Sequence, residues 1–196
     1  MYLHFTKRLF DFLLALLGLM IFAIPMLFIG AAIWLTSGRP ILFTQERVGL
    51  EGRIFRIKKF RTMTVRQPTT STITVNGDPR ITPTGRFLRR WKLDELPQLW
   101  NVLMGEMSFV GPRPDVPGYA DKLQGDDRRL LLLRPGITGP ATLAYRNEEE
   151  ILAQAEDPVK YNDEVIYPDK VRINLEYLDT CSLLADVRCI WRTVFH

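Results

Sequence analysis

An adjacent pair of carboxylates, Asp94 and Glu95, is the group in this sequence best suited to chemistry. The pair directly follows a stretch with no acidic residue and four basic ones: Arg86, Arg89, Arg90 and Lys92. Two carboxylates could hold Mg²⁺ on oxygen ligands while arginines bind phosphate groups. One carboxylate could also attack phosphorus and form a covalent intermediate.

The same pair could instead be the ordinary acidic start of a helix. Pro97 is acceptable in a first helical turn, so a helix could begin near Asp94. The helix dipole and the basic residues nearby would then favour a phosphate there and keep Asp94 ionised. The spacing alone leaves both interpretations open.

Arg113 stands between two prolines, Pro112 and Pro114. The prolines hold the segment stiff and extended, which suits a preorganised contact between the guanidinium and a phosphate group. A proline-bounded surface loop with a solvated arginine would have the same sequence. The basic stretch that contains Lys58 and Lys59 could face a membrane, a nucleotide or solvent.

Histidine and cysteine usage excludes several classes of enzyme. His4 and His196 are the only histidines, so acid–base or nucleophilic chemistry must use carboxylates, lysine or arginine. Most histidine-dependent hydrolase and metalloprotease mechanisms are thereby excluded. Cys181 and Cys189 fit neither a zinc site nor a disulfide framework, which favours a reducing compartment.

Charge is divided unevenly along the chain. Residues 1–93 carry 15 basic and 4 acidic residues, whereas residues 94–196 carry 11 basic and 18 acidic ones. A basic half that includes a hydrophobic segment favours anionic lipid headgroups or phosphate-rich ligands as partners, with a merely solvated basic face as the alternative.

The hydrophobic segment comprises residues 12–35, which include no charged side chain. As a straight helix it would be about 36 Å long, enough to cross a hydrocarbon core of about 30 Å. Pro25 predicts a kink near its middle, and basic residues, which mark the cytoplasmic side, flank both ends. These features favour a helix–break–helix that enters one leaflet and returns, over a single spanning helix.

Other segments have simpler patterns. Residues 41–60 alternate apolar and polar side chains and predict a β-hairpin that turns at Gly49 and Gly52. Residues 64–84 predict a surface loop, 85–107 and 119–133 are helix-like, and the acidic stretch 148–164 predicts a solvated helix and loop.

The C-terminal segment predicts an amphipathic helix. Its apolar stripe consists of Leu183, Leu184, Val187, Ile190, Trp191, Val194 and Phe195. The stripe could pack against the rest of the domain, or it could lie in a membrane interface.

Several blocks resemble the small monotopic phosphoglycosyl transferases of the bacterial sugar transferase family. They are TKRLFD (6–11), KKFRTM (58–63), LDELPQLWNVLMGEMSFVGPRP (93–114), RPGITGPA (134–141) and DTCSLLADVRCIWRTV (179–194). The resemblance extends over nearly the whole chain, and the 93–114 block is far more specific than a lone pair of carboxylates.

The resemblance implies a mainly helical α+β fold. A re-entrant membrane anchor broken at Pro25 (1–38) would precede a catalytic domain (39–196), with interfacial amphipathic helices and a small β-hairpin or sheet. It also places the protein at the bacterial inner (cytoplasmic) membrane, with the catalytic face towards the cytoplasm.

The resemblance further implies a two-step reaction and its site residues. Asp94 would attack the sugar-linked phosphate of a UDP-sugar and expel UMP, and polyprenyl (undecaprenyl) phosphate would then accept the phosphosugar. Glu95 would support metal binding or activation, and both carboxylates would neighbour Mg²⁺. Lys59, Arg89 and Arg113 would bind phosphate groups.

Three matters stay open at this point. Ile24 precedes Pro25 where the family often has serine, and the acidic insert 145–158 could cap a sugar site. The sugar is not determined, although the resemblance to small members favours an N-acetylated amino or deoxyamino sugar. The expected partners are the bilayer, the UDP-sugar and the prenyl phosphate but no nucleic acid, with a homo-oligomer or downstream glycosyltransferases left open.

Two other functions compete with the transferase. A glycosyltransferase that moves only the sugar would release UDP instead of UMP. A membrane-tethered, non-catalytic scaffold module of a polysaccharide assembly complex would retain its function without Asp94.

Overall fold

The computed structural model describes residues 5–64 and 80–195, which form a mainly helical protein with two small sheets. The α-helices are α1 Lys7–Ser37, α2 Pro83–Arg90, α3 Gln98–Met104, α4 Pro140–Ala144, α5 Glu148–Ala153, α6 Pro158–Tyr161, α7 Tyr167–Thr180 and α8 Leu183–Phe195. The strands are β1 Leu42–Val48, β2 Ile54–Phe60, β3 Ser108–Val110 and β4 Gly136–Thr138. The predicted mainly helical α+β class is confirmed.

Helix α1 is the apolar element expected from the sequence, and it continues without interruption through Pro25. The predicted division into two helices at Pro25 is therefore wrong, whereas the kink expected there stays a prediction. Proline removes one backbone hydrogen bond but its fixed φ suits a helix, and that loss does not end an apolar helix of 31 residues. Within the described residues, α1 is the one helix long and apolar enough to cross a membrane.

Both ends of α1 are attached to the rest of the protein, whereas its middle is exposed. Near the N-terminus, Lys7 forms a buried ion pair with Asp186 of α8. After the last turn, the guanidinium of Arg61 donates to the backbone carbonyls of residues 37–39 at 2.5–2.9 Å. Residues 20–25, between these attachments, are exposed on every side of the helix.

The predicted hairpin is confirmed, with β1 and β2 antiparallel and paired from Leu42 with Phe60 to Val48 with Ile54. Phe55 and Ile57 of β2 enter one apolar core with Ala15, Val102 and Met107. Phe60, at the end of β2, enters another with Ile33 and Leu88. Because each core includes a residue of α1, the hairpin is fixed against both halves of that helix.

A short parallel pair, β3 and β4, holds the loop that carries Arg113. Gly111 N–H donates to the Thr138 carbonyl at 2.9 Å, and Gly136 N–H donates to the Pro112 carbonyl at 2.7 Å. The backbones lie so close that a Cβ on Gly139 would be 2.1 Å from the Gly111 carbonyl oxygen. The glycines of the RPGITGPA block therefore allow this close approach.

The close approach makes Gly139→Ala a sharp test of the packing around this loop. The methyl group would contact backbone atoms that cannot move independently, so we expect the free energy of unfolding to fall by about 3 kcal/mol. Gly30→Ala is the matched control, because its Cβ would lie 3.6 Å from Ile41 Cγ2, an ordinary contact. Thermal or denaturant unfolding in detergent measures both; equal stabilities of the two variants would contradict the packing argument.

The two stretches predicted to be helix-like, 85–107 and 119–133, are only partly α-helical. The first is divided into α2, a 3-10 turn at Leu93–Glu95 and α3. The second contains only 3-10 turns, at Ala120–Lys122 and Gly125–Leu132, because Gly125, with a φ of +58°, interrupts any longer helix. The predicted loop over 64–84 lies mostly outside the described residues, and the acidic stretch forms α5, α6 and a π-helical turn at Asn162–Ile166.

Helix α8 confirms the predicted C-terminal amphipathic helix and decides between its two interpretations. The buried residues are Asp186 and Cys189, whereas six of the seven stripe residues are exposed and Ile190 is half-buried. The interpretation that this stripe packs against the domain is therefore wrong. Trp191 and Phe195 stack on each other at the surface, with ring centroids 4.1 Å apart. Cys181 and Cys189 both carry free thiols, as expected.

Candidate active site

The two candidate carboxylates lie in the 3-10 turn between α2 and α3. Lys92, which precedes the turn, has a left-handed backbone with φ +55° and ψ +20°, a conformation that is unfavourable for a non-glycine residue. The helix predicted to begin near Asp94 is present as this 3-10 turn, and the α-helical part, α3, begins only at Gln98.

Asn101, which the sequence analysis did not identify, fixes α3 against strand β2. Its amide Nδ2 donates to the Arg56 carbonyl at 2.8 Å, and its Oδ1 accepts the Lys58 N–H at 3.0 Å. These two bonds set the position of α3 relative to β2. The following residue of the strand, Lys59, is thereby brought to the carboxylate pair. A buried asparagine in a block of apolar residues was the available sequence signal.

Glu95 and Lys59 form a half-buried ion pair, with 2.7 Å between Glu95 Oε1 and Lys59 Nζ. Burial opposes the charge on Glu95, but Lys59 and then Arg113 outweigh it and hold the pKa of Glu95 below its ordinary value. Burial lowers the pKa of Lys59, and Arg113 adds to this effect, while Glu95 opposes it. Glu95 is thus an ionised carboxylate held in a fixed position.

Asp94 lies beside this pair, and its surroundings shift its pKa in the opposite direction. Burial, followed by the charge of Glu95, raises the pKa of Asp94, with Lys59 and Arg89 acting in the opposite direction. Burial thus opposes the ionised form of Asp94 that its basic neighbours favour. Its Oδ1 is buried and has no hydrogen-bond partner among residues 5–64 and 80–195, so its capacity to accept a hydrogen bond or bind a cation is unused.

The three predicted phosphate-binding residues occupy different positions around the carboxylates. Lys59 contacts Glu95 directly, and Arg89, in the last turn of α2, is close enough to affect the pKa of Asp94. Arg113 is exposed between the buried prolines of its loop, yet its charge affects both Lys59 and Glu95. Three positive charges therefore surround the pair, as a phosphate-binding site requires.

The residues present are compatible with a Mg²⁺ ion. The unpaired Oδ1 of Asp94 and the ionised Glu95 are hard oxygen donors, the type that Mg²⁺ prefers. No cluster of three or more His, Cys, Asp or Glu side chains that could bind a metal occurs in the described part of the chain. Mg²⁺ commonly takes one or two carboxylates and completes its shell with substrate phosphates and water.

A second polar group, centred on Asp115, adjoins the Arg113 loop and was not identified from the sequence. Tyr167 donates to Asp115 Oδ2 at 3.3 Å, and Arg47 donates to the Pro114 carbonyl at 3.0 Å. Burial raises the pKa of Asp115 to about 6. The available sequence signal was an acidic residue directly after the segment Pro112–Pro114.

Comparison with known proteins identifies the family of this chain. The profile described as bacterial sugar transferase matches residues 2–196. A galactosyl transferase of Streptococcus agalactiae is 35% identical, over 96% of this chain and 41% of that protein. The UDP-glucose:undecaprenyl-phosphate glucose-1-phosphate transferase of Escherichia coli is 36% identical, over 96% and 39%.

A sugar transferase of Bacillus subtilis, EpsL, is 35% identical, over 96% of this chain and 85% of that protein. The chain therefore spans about two fifths of the length of the first two relatives and most of the length of the third. Because the family profile covers nearly every residue and the similarity to these relatives is equally extensive, the chain belongs to the bacterial sugar transferase family.

Proposed function

We propose that this protein transfers a sugar phosphate from a UDP-sugar to undecaprenyl or a similar polyprenyl phosphate, with release of UMP. The observation that carries the proposal is the buried, unpaired Oδ1 of Asp94 beside the Lys59–Glu95 ion pair. Relatives named for glucose-1-phosphate transfer from UDP-glucose to undecaprenyl phosphate support the choice of substrates.

The proposed first step forms a bond between Asp94 Oδ1 and the phosphorus that carries the sugar. The bond from this phosphorus to the bridging oxygen breaks, and its electron pair leaves with UMP. A carboxylate whose pKa is raised by burial is a stronger nucleophile when ionised than one with an ordinary pKa. Lys59 and Arg89 favour that ionised form.

In the second step, an oxygen of the prenyl phosphate attacks the same phosphorus, and Asp94 leaves as a carboxylate. Lys59, Arg89 and Arg113 bind the charge that spreads over the phosphate oxygens in both steps. Glu95 keeps Lys59 in place. Bound Mg²⁺ would supply further charge neutralisation, with Asp94 and Glu95 as the residues that would hold it.

The site would operate at the membrane surface. Helices α2 and α3 both pack against α1 and expose large apolar side chains around it, namely Phe87, Trp91, Trp100 and Met104. Exposed aromatic residues beside an apolar helix are typical of an interfacial surface. The exposed stripe of α8, which is joined to α1 by the Lys7–Asp186 pair, would extend this surface.

We propose that α1 enters one leaflet only and bends at Pro25 while remaining one continuous helix. Its two attachments to the catalytic domain would keep both ends on the cytoplasmic side of the inner membrane, and the exposed residues 20–25 would insert deepest. A spanning α1 would have to separate one of these ends from the domain.

Sidedness of labelling tests this topology. In a chain whose native cysteines are replaced by serine, we expect Phe5→Cys and Glu51→Cys to react from the same side of sealed inverted vesicles. Both residues are exposed, so both thiols would be reachable. A membrane-impermeant maleimide measures the labelling, and opposite sidedness would show that α1 spans the bilayer.

The reaction itself is tested with purified protein, polyprenyl phosphate, Mg²⁺ and a panel of UDP-sugars. The panel includes UDP-glucose and UDP-galactose, which appear in relatives' names, and N-acetylated UDP-sugars. We expect UMP and a prenyl diphosphate sugar from at least one donor. Release of UDP would identify a glycosyltransferase instead, and no product from any donor would favour the non-catalytic scaffold.

A further inference from the structure

The group around Asp115 has the features of a second binding position next to the carboxylate pair. Its backbone is fixed, since the Asp115 carbonyl accepts the Val48 N–H at 2.9 Å and Arg47 holds the preceding carbonyl. The backbone of Asp115 is thus held in a fixed position beside the end of β1.

The carboxyl group of Asp115 is poorly stabilised in its charged form. Tyr167 donates to it at the long distance of 3.3 Å, and three cations, Lys170, Arg47 and Arg113, lie near it. Burial nevertheless raises the pKa of Asp115 to about 6. A carboxylate whose only role is an ion pair would have a lowered pKa. A half-buried carboxylate whose pKa is raised is instead typical of a functional site.

Arg113 connects Asp115 with the reaction site. Its charge affects Glu95 and Lys59 on one side and Arg47 and Asp115 on the other. Arg113, two positions before Asp115 in the chain, therefore interacts electrostatically with both groups. A diphosphate bound by Arg113 would carry its attached groups past Asp115.

The space beside Asp115 limits what it can bind. Asp115 and Arg113 line a cleft of about 20 Å³ between the β1–β2 turn and the segment 130–135. That volume admits one water-sized group, such as a single hydroxyl, but not a sugar ring. An ionised carboxylate only accepts hydrogen bonds, so it suits a hydroxyl donor and opposes a further anion.

We propose that Asp115 accepts a hydrogen bond from one hydroxyl group of the donor's carbohydrate, in either the transferred sugar or the ribose. This inference rests on the proposed function, because it takes a nucleotide sugar as the ligand. Tyr167 would position the carboxylate, and the Tyr119 ring, packed edge-on against Tyr167 with centroids 5.2 Å apart, would border the same position.

The test is equilibrium binding of UDP-glucose, UDP-galactose and UMP to detergent-solubilised protein, measured by calorimetry at pH 8. We expect Asp115→Asn to weaken UDP-sugar binding at least about tenfold, because an unmatched buried polar contact typically changes affinity by this much. Tyr167→Phe should weaken it less. Asp127→Asn, which changes an exposed aspartate, is the matched control and should bind all three ligands as the wild type does.

UMP distinguishes the two sources of the hydroxyl. If Asp115 binds the transferred sugar, Asp115→Asn should leave UMP affinity unchanged and alter the ratio of the affinities for UDP-glucose and UDP-galactose. If it binds the ribose, all three ligands should weaken by the same factor. Unaltered affinity for all three ligands would overturn the proposal, as would a wild-type protein that binds none of them.

Stability separates this binding function from a structural one. Because the folded-state pKa of Asp115, about 6, exceeds its ordinary value of 3.8, ionisation of Asp115 destabilises the fold. This destabilisation is complete above pH 6 and absent below about pH 4, with Arg47, Arg113, Tyr119, Tyr167 and Lys170 as the groups that face Asp115. Asp115→Asn should therefore raise the apparent Tm at pH 8, whereas loss of a structural carboxylate would lower it.

Binding of a UDP-sugar does not require turnover. The experiments can therefore contradict the proposed transferase function and the proposed Asp115 contact independently of each other. Wild-type protein that binds a UDP-sugar but releases no UMP would contradict the proposed function and leave the Asp115 contact intact. Normal turnover together with unaltered affinity in Asp115→Asn would contradict the Asp115 contact alone.

Discussion

Asp94→Asn is expected to abolish both UMP release and covalent labelling of the protein. Wild-type enzyme incubated with a UDP-sugar and Mg²⁺, but without the prenyl acceptor, should release up to one equivalent of UMP. It should also gain the mass of one phosphosugar, which peptide mapping should locate to the peptide containing Asp94. The amide cannot form the bond to phosphorus, so we expect turnover to fall at least about a thousandfold, or about 4 kcal/mol of barrier.

The structure provides the reason for choosing Asp94 over Glu95 as the nucleophile. Glu95 is occupied by Lys59 at 2.7 Å, whereas Asp94 Oδ1 is unpaired in the described part of the chain. Glu95→Gln should therefore slow turnover but leave some adduct on Asp94. Since burial disfavours the charge of Asp94, Asp94→Asn should remain folded, which an unchanged or higher apparent Tm would verify.

Absence of the covalent adduct would indicate a direct transfer. If UMP appears only when the prenyl acceptor is present, and no adduct is trapped at short times, the phosphosugar moves directly between substrates. Asp94 would then act as a metal ligand or a base. Rapid quenching at several times, followed by intact-protein mass spectrometry, separates this mechanism from the covalent one.

Local patterns were sufficient to predict those parts of the fold that depend on neighbouring residues. Strand alternation and Gly49 predicted the β1–β2 hairpin, and the apolar stripe predicted α8. The sequence did not show whether this stripe is buried. The face of α8 that packs against the domain is the one with Asp186 and Cys189. A buried aspartate on the opposite face is interpretable only once its partner Lys7 is known.

The electrostatic properties of the site could not be predicted from the sequence either, because they depend on contacts between residues that are far apart in the chain. Lys59 and Glu95 are 36 positions apart, and their contact depends on the bonds from Asn101 to β2. The neighbouring basic residues suggested that Asp94 is simply kept ionised, but burial has the larger effect on its pKa. Likewise, Asp115 and Tyr167, 52 positions apart, meet only when α7 packs beside the Arg113 loop.

Removal of either partner of the Lys59–Glu95 pair is expected to reduce both activity and stability. Lys59→Met would leave the Glu95 carboxylate half-buried without its counter-charge, and we expect the free energy of unfolding to fall by about 3 kcal/mol. Turnover should fall at least about a hundredfold, or 2.7 kcal/mol of barrier, because Lys59 no longer reaches the phosphate groups. Unfolding in detergent and the UMP assay measure the two effects.

The double variant Lys59→Met/Glu95→Gln separates the two effects. With no unpaired charge left, it should regain much of the lost stability, so the two changes should be strongly non-additive in unfolding. It should regain no activity, because neither the ammonium nor the carboxylate is restored. The matched control is Arg56→Met/Glu46→Gln on the same hairpin, an exposed pair 3.6 Å apart that should contribute less than about 1 kcal/mol.

A different outcome would change the assignment of this pair. If activity recovers together with stability in the double variant, the ion pair only supports the fold, and Arg89 and Arg113 must bind the phosphates without Lys59. If the single variants are fully stable but inactive, the pair acts in the reaction alone, and its burial contributes little to folding. Non-additive stability combined with additive or complete loss of activity is the result expected from a charged pair that both holds the turn at Asp94 and contacts the substrate.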